Sequence, residues 1–356
     1  MRLEEPDWWY GGAAPPRRLA PLLAPLAQLY GWLAQGRFRW STPYRSRLPV
    51  VCAGNFTAGG TGKTPLAIFI ARLLIERGER PAFLTRGYGG RERGPIWVEE
   101  GEGAAARFGD EPLLLAHVAP TLVARDRAAG AQMIEASGGD ISAIVMDDGL
   151  QNAALAKDLA LAVVDGERGL GNGEVIPAGP LRAPIDFQLG LVDAIVVREP
   201  EAAPADAAHG IHELLRQRFP GPVLAARTLP REDVAWLEGA PVVAFAGIAA
   251  PQRFFALCER LGARLLARVP FPDHHAFSGT DIDDLVGLAA QTRAQLITTE
   301  KDWVRLKAGD GFAQALAERA RPLPIELTFD DRDLKRLSAL IDAALRREQA
   351  PADHAI

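Results

Sequence analysis

Apolar residues along this chain alternate between short unbroken runs and stripes at three- and four-residue spacing. The runs Leu48–Ala53, Pro81–Thr85, Thr121–Ala124, Ile141–Met146, Leu159–Val164 and Ala194–Val197 predict strands. Helical patterns separate several of them, and the helix after Gly62-Lys63-Thr64 has a stop signal at Gly78. Such alternation predicts a parallel sheet with helices on its faces. A polar segment around Leu229–Ala240 precedes a second series: a strand at Val242–Ala246, a helix at Arg253–Leu261 and a strand at Arg264–Ala267. A helix from Asp281, strands at Gln295–Thr299 and near Pro324–Thr328, and an amphipathic helix ending by Arg347 complete it. Ala202–Ala208 reads as a surface loop and Gln349–Ile356 as a frayed tail. No internal repeat stands out.

The first 46 residues follow another pattern. Leu19, Leu22, Leu23, Leu26, Leu29, Tyr30 and Leu33 form a helical stripe that stops short of the about 20 apolar residues a bilayer span needs. Four of the seven tryptophans, Trp8, Trp9, Trp32 and Trp40, cluster there, flanked by Arg17, Arg18, Arg37, Arg39, Arg45 and Arg47. Aromatic and basic residues around an apolar stripe suit a helix lying in the interface of an anionic leaflet. The competing reading packs this helix on the protein's own core; its opposite face is Ala-rich, and Pro21 and Pro25 speak against a long regular helix. Glu4, Glu5 and Asp7 precede the stripe, unlike the basic start of a secretory signal.

Composition narrows the partners. A chain of 356 residues, 48% hydrophobic, has material for about two domains. A net charge of -5 lacks the basic excess of a nucleic-acid binder. No obligate protein partner is evident. Cys52 and Cys258 sit far apart in apolar segments without metal-ligand spacing, as in a reduced, cytosolic protein.

The stretch "CAGNFTAGGTGKTPLAIFIARLL" carries the clearest chemistry. Strand, glycine-rich loop and helix follow in order, so loop amides and a helix N-terminus converge on one anion. Thr57, Ala58, Gly59, Gly60, Thr61, Gly62, Lys63 and Thr64 form the phosphate cradle of a P-loop, with Thr57 at the position usually held by glycine. Lys63 would reach the terminal phosphates and the Thr64 hydroxyl would bind Mg²⁺. Ala58 stands where membrane-associated switch ATPases carry an additional lysine, and Thr299-Glu300-Lys301-Asp302 does not match the N-K-x-D that reads guanine. ATP is therefore the expected nucleotide. The fold class is α/β: a P-loop NTPase-like parallel sheet flanked by helices over 47–230, a smaller α/β domain over 240–348, and the membrane-contacting segment over 1–46.

Ligands of open α/β sheets bind at the carboxyl ends of the strands. Asp147-Asp148-Gly149 ends the Ile141–Met146 strand, where a carboxylate orients Mg²⁺. Neighbouring side chains of an extended backbone diverge, so one aspartate can face the metal and the other Lys63. Asp110 in "GDEP" opens a helix, either as an N-cap or as a group accepting a hydroxyl proton. Glu174 in "GNGEVIPAGPLR" could complete a cation site. "PDHHAF" supplies Asp273, His274 and His275; one His oriented by a carboxylate suits proton transfer better than a metal pair.

In order, "GNFTAGGTGKTP", "RGYGG", "GDEP", "DDGLQN", "PAGPLR", "PDHHAF" and "TTEKD" resemble the tetraacyldisaccharide 4'-kinases, the lipid A 4'-kinases of Gram-negative bacteria. The resemblance runs from about Val50 to Asp302. It implies two α/β domains, peripheral attachment at the cytoplasmic face of the inner membrane, and transfer of the ATP γ-phosphoryl group to the 4'-hydroxyl of a tetraacylated glucosamine disaccharide 1-phosphate. Carried over by position, Lys63 and Thr64 would serve the phosphates and Mg²⁺, Asp147, Asp148 and Glu174 the metal, and Asp110 with His274 the hydroxyl proton. The family usually has Phe and His where this chain has Leu150 and Asn152, and an acid where it has Ala183. The competing functions are a membrane-associated nucleotide-switch ATPase that binds a partner, and a kinase of a soluble small molecule.

Overall fold

The computed structural model describes residues 6–11, 19–138, 140–200 and 208–346, with the backbone alone for Asp7, Ala20 and Pro21. Glu4, Glu5, Arg17, Arg18, residues 202–207 of the expected loop and the segment 349–356 lie outside the described residues. The chain forms two compact units: Met1–Leu84 with Asp126–Arg227 and Phe329–Ile356, and Thr85–Arg125 with Thr228–Thr328.

In the first unit, strands lie in the order Val223–Pro230, Ala194–Arg198, Leu159–Asp165, Val50–Asn55, Ala143–Asp147 and Pro81–Thr85. Every neighbouring pair is parallel. Val50–Asn55 is buried along its whole length, as its continuous apolar run requires with both faces covered. The helix Lys63–Glu76 buries Leu66, Ile70 and Leu74, a one-turn spacing that keeps all three on one face. Each such side chain stabilises the fold by roughly 1.5–3 kcal/mol relative to exposure. Gly78, at a φ of 83°, follows the end of the helix in the left-handed region, where a side chain would be strained. Because the strands run the same way, Asn55, Asp147, Asp165 and Arg198 all emerge at one edge of the sheet.

The N-terminal stripe lies on one regular helix, Ala20–Trp40, of 21 residues. This corrects the expectation drawn from Pro21 and Pro25. Pro21 occupies the opening turn, where the missing N–H has no partner within the helix anyway. Pro25 removes one bond a turn later, and the helix continues through it. The buried face carries Ala27, Gly31 and Gly36. A Cβ on Gly31 would lie 3.3 Å from the Pro184 ring, so the small residues permit close approach. The leucine stripe faces outward: Leu26 is 54% exposed and Trp32 55%. No helix among the described residues is long and apolar enough to cross a membrane.

The second unit contains a parallel sheet in the order Arg264–Pro270, Pro241–Ala246, Gln295–Thr299 and Ala320–Leu323. Residues of Pro241–Ala246 alternate between two cores. Val242 and Ala244 pack with Phe254, Phe255 and Cys258, whereas Val243 and Phe245 pack with Ile282, Leu285 and Leu316. This unit also takes in Thr85–Arg125, with its antiparallel pair Ile96–Trp97 and Thr121–Val123 and the helix Asp110–Ala116. Phe108, Leu113 and Val123 share a buried cluster with Val304 and Ala308. The span 47–230 read from the sequence therefore passes through both units, because periodicity shows that Leu113 is buried but not against which core. The helix His209–Arg218 and the strand Val223–Pro230 as far as Arg227, which the apolar pattern did not single out, belong to the first unit.

Candidate active site

In the first unit, the glycine-rich loop is held open by its own neighbours. The Asn55 amide, fully buried at the strand end, donates to the Thr57 carbonyl at 2.7 Å and to the Thr61 hydroxyl at 2.8 Å. Arg182 donates from Nε to the same Thr57 carbonyl at 3.0 Å, and the Ala58 N–H donates to the Pro180 carbonyl at 2.8 Å. Thr57 is buried and pairs with Leu181, so the position where a glycine is usual is anchored here. Gly59 and Gly62 adopt φ values of 94° and 100°, in the left-handed region that glycine enters without strain. Gly62 caps the helix that Lys63 begins.

The divergence expected of the paired aspartates is resolved by the strand register. Asp147 accepts a hydrogen bond from the Thr64 hydroxyl at 3.2 Å, and both are buried. Asp148, turned by a φ of 53°, faces the other way. Its carboxylate receives Arg182 at 2.7 Å and lies 3.8 Å from the Lys63 ammonium. Burial pushes the Asp148 carboxyl up, but Lys63 and Arg182 outweigh it and hold the group below the usual carboxylate range.

Thr64 and Asp147 present the hard oxygen donors that Mg²⁺ takes, and few protein oxygens are required where phosphates and water fill the remaining positions. The residues present fit the ion. The described residues contain no group of three or more His, Cys, Asp or Glu that could hold a metal. Glu174 is exposed in a loop whose hydrogen bonds use its backbone: its N–H donates to Asn172 Oδ1 and its carbonyl accepts from Leu181, both at 3.0 Å. Asn55, Arg182 and the Asp165–Arg198 pair, at 2.7 Å, were not singled out as site residues in the sequence. Only the placement of Arg182 after "PAGPL" and of the others at strand ends hinted at them.

In the second unit, Asp110 is not a cap. Gly109 occupies the N-cap position and no side chain bonds the first-turn amides. The Asp110 carboxylate is buried, and one oxygen, Oδ2, accepts from His274 Nδ1 at 2.7 Å, Arg305 Nε at 2.9 Å and Arg305 Nη2 at 2.6 Å. Burial alone would raise this carboxyl; the hydrogen bonds and charges of His274 and Arg305 overcome it and hold Asp110 well below the usual carboxylate range. An ionised carboxylate only accepts, so His274 carries a proton on Nδ1 and points Nε2 away from Asp110.

His274 adopts a φ of 59° and donates its N–H to the Gly247 carbonyl at 3.1 Å. A left-handed non-glycine residue of this kind costs on the order of 1 kcal/mol and recurs at functional positions. His275 turns away, hydrogen-bonded to Asp281 at 3.0 Å and stacked on Phe271. The adjacent histidines thus serve different elements. Asp273 lies 3.5 Å from His274 Nε2, and Lys301 lies 3.3 Å from the same nitrogen. Behind the pair, Arg305 also donates to Asp302 at 2.9 Å and to the His275 carbonyl at 3.0 Å. Asp302, fully buried, accepts from the Gly247 amide and the Thr299 hydroxyl. The sequence singled out Asp110, Asp273 and His274 but not Arg305, three residues past the end of "TTEKD".

The family model described as tetraacyldisaccharide-1-P 4'-kinase, LpxK, matches residues 19–346. The chain is 47% identical over 337 residues to a tetraacyldisaccharide 4'-kinase of Rhodopseudomonas palustris, covering 92% of this chain and 93% of that protein. It is 50% identical over 308 residues to one from Methylorubrum extorquens, covering 86% and 90%. The crystal structure of LpxK from Aquifex aeolicus in complex with ATP superposes with a TM-score of 0.70 at 22% identity, over 92% of this chain and 99% of that one. The family match spans both units, and the chain belongs to the tetraacyldisaccharide-1-P 4'-kinase family.

Proposed function

We infer that this chain transfers the γ-phosphoryl group of ATP to the 4'-hydroxyl of a tetraacylated glucosamine disaccharide 1-phosphate. The observation that carries this reading is the buried pair of Asp110 with His274, 2.7 Å apart. A nucleotide switch needs the phosphate loop but has no use for an imidazole poised to accept a hydroxyl proton.

ATP enters as the phosphoryl donor. The loop amides of residues 57–64 bind its phosphates, and Lys63, kept in place by Asp148, supplies a cation to the terminal ones. Thr64 and Asp147 would hold Mg²⁺. That ion, when bound, neutralises phosphate charge as the phosphoryl group moves. His274 takes the proton of the sugar hydroxyl on Nε2, and Asp110 stabilises the imidazolium that results. Arg305 keeps the Asp110 oxygen aimed at the ring. Asp273 stands beside Nε2, where it assists the same proton. Glu174 has no assigned step.

The outward leucine and tryptophan stripe of Ala20–Trp40 supports peripheral attachment at the cytoplasmic face of the inner membrane, where an acylated substrate resides. Residues 1–46 then serve as the membrane-contacting segment of the kinase. The discriminating experiment supplies radioactive γ-phosphate ATP and the disaccharide lipid to the purified protein. Label in the extractable lipid is expected. Label released only as free phosphate would sink the kinase reading.

A further inference from the structure

The ring of His274 lies between two carboxylates. Asp110 Oδ2 is 2.7 Å from Nδ1, and Asp273 Oδ2 is 3.5 Å from Nε2. An imidazole with an anion at each nitrogen is stabilised with a proton on both, as a cation that cannot accept another. Such a ring would be useless as a base. Two cations stand against those carboxylates. Arg305 binds Asp110 through two donors, and Lys301 sits 3.4 Å from Asp273 Oδ1 and 3.3 Å from His274 Nε2. Lys301 belongs to the helix Glu300–Lys307, and Glu111 on the Asp110 helix lies 3.9 Å away. Tyr88 also lies against the ring, with centroids 5.8 Å apart.

We propose that Lys301 is a positioning residue for the phosphoryl-transfer base: its ammonium occupies the Nε2 lone pair of His274 and keeps that nitrogen unprotonated until the acceptor hydroxyl replaces it. An ammonium has three donors and no acceptor, so its hydrogen bond to Nε2 requires the lone pair to be free. Its positive charge opposes a second proton on the ring. Asp273 and Glu111 provide the seat to which it retires when the hydroxyl arrives. The hydroxyl oxygen then bonds to phosphorus, ADP leaves with the electron pair of the broken P–O bond, and the hydroxyl proton passes to Nε2. With Lys301 paired to carboxylates, the imidazolium keeps Asp110 as its counter-ion.

This assignment rests on the reading of His274 as the base, and the experiment separates the two. The pH dependence of kcat/KM is measured with lipid disaccharide and ATP for the unaltered protein, Lys301→Met, Lys301→Arg and His274→Ala. In parallel, ¹⁵N spectra of the histidine rings, assigned by the signal missing in His274→Ala, report the pH at which Nε2 takes a proton. In Lys301→Met that pH, and the acid limb of kcat/KM, are expected to rise by about one unit, the lower end of the effect of a charge at this range. Lys301→Arg restores both toward the original positions. Acid limb and ring signal unmoved in Lys301→Met overturn the inference, and the spectra decide it even where a variant turns over too slowly to assay. Unchanged turnover in His274→Ala would instead remove the base itself.

Discussion

Replacing Asp110 with asparagine isolates the charge of the candidate dyad from its shape. Three donors converge on Oδ2: His274 Nδ1 at 2.7 Å and two nitrogens of Arg305 at 2.9 and 2.6 Å. An amide placed there turns its oxygen toward them, since its NH₂ would meet only donors. The imidazole keeps its orientation and tautomer, and only the negative charge opposite the developing imidazolium is lost. A hydrogen bond to a charged group contributes about 1.5–3 kcal/mol. At about 1.4 kcal/mol per decade of rate, Asp110→Asn should lower kcat by about 10–10²-fold. His274→Ala, which removes the proton acceptor, should lower it by about 10²–10⁴-fold. If Asp110 acts through the ring, adding Asp110→Asn to His274→Ala should cost less than about twofold more, because residues acting as a unit are not additive. Steady-state turnover of all four proteins on lipid disaccharide closes this cycle. Equal factors for Asp110→Asn in both backgrounds would refute the dyad and return Asp110 to a role independent of His274.

Four further outcomes test the rest of the site and its setting. Lys63→Ala should impair the ATP-dependent step, lowering kcat/KM for ATP by at least about 10²-fold, the scale of lost transition-state charge stabilisation; unchanged ATP dependence would count against the phosphate role. Arg305→Met leaves Asp110 and Asp302 buried without their shared cation and should destabilise the second unit by about 3–5 kcal/mol, read as a lowered unfolding midpoint. Since Asp110 is held below its ordinary value, its contribution to stability is complete above about pH 4 and is lost as pH falls toward the folded-state value. The stability difference between the unaltered protein and Asp110→Asn should accordingly shrink on acidification below about pH 4, and a constant difference down to pH 2 would contradict an ionised Asp110. Leu26→Glu combined with Leu29→Glu should weaken binding to anionic vesicles by more than about tenfold with unchanged circular dichroism, since each leucine forfeits roughly 1.5–3 kcal/mol of apolar burial.

The glycine-rich loop and the helix start were legible in the chain, because their geometry is local. A strand, a run of small residues, and a lysine and threonine at the start of a helix place amides, ammonium and hydroxyl by backbone geometry alone. The strand-end aspartates were legible as a pair, and the diverging pleat required them to separate. Which one met Thr64 depended on the register Ala53↔Asp147, a property of two strands about ninety residues apart. The amphipathic stripe after Leu19 was equally plain in sequence, yet periodicity is symmetric between a face turned to a core and one turned to solvent. The Ala and Gly face lies inward, where close contact with Pro184 leaves no room for a leucine.

Sequence by itself determined the alternation of strands and helices, the glycine-rich turn at 57–64 and the supply of carboxylates and imidazoles, since each follows from residue type at short spacing. Tertiary structure decided which of them meet. Asp110 and His274 are separated by 164 positions, and their contact arises because Phe108 and Leu113 bury apolar surface against Val304, bringing the Asp110 helix to the helix that carries Arg305 and Lys301. Such packing depends on the whole shape of a core, which no local pattern of polar and apolar residues specifies.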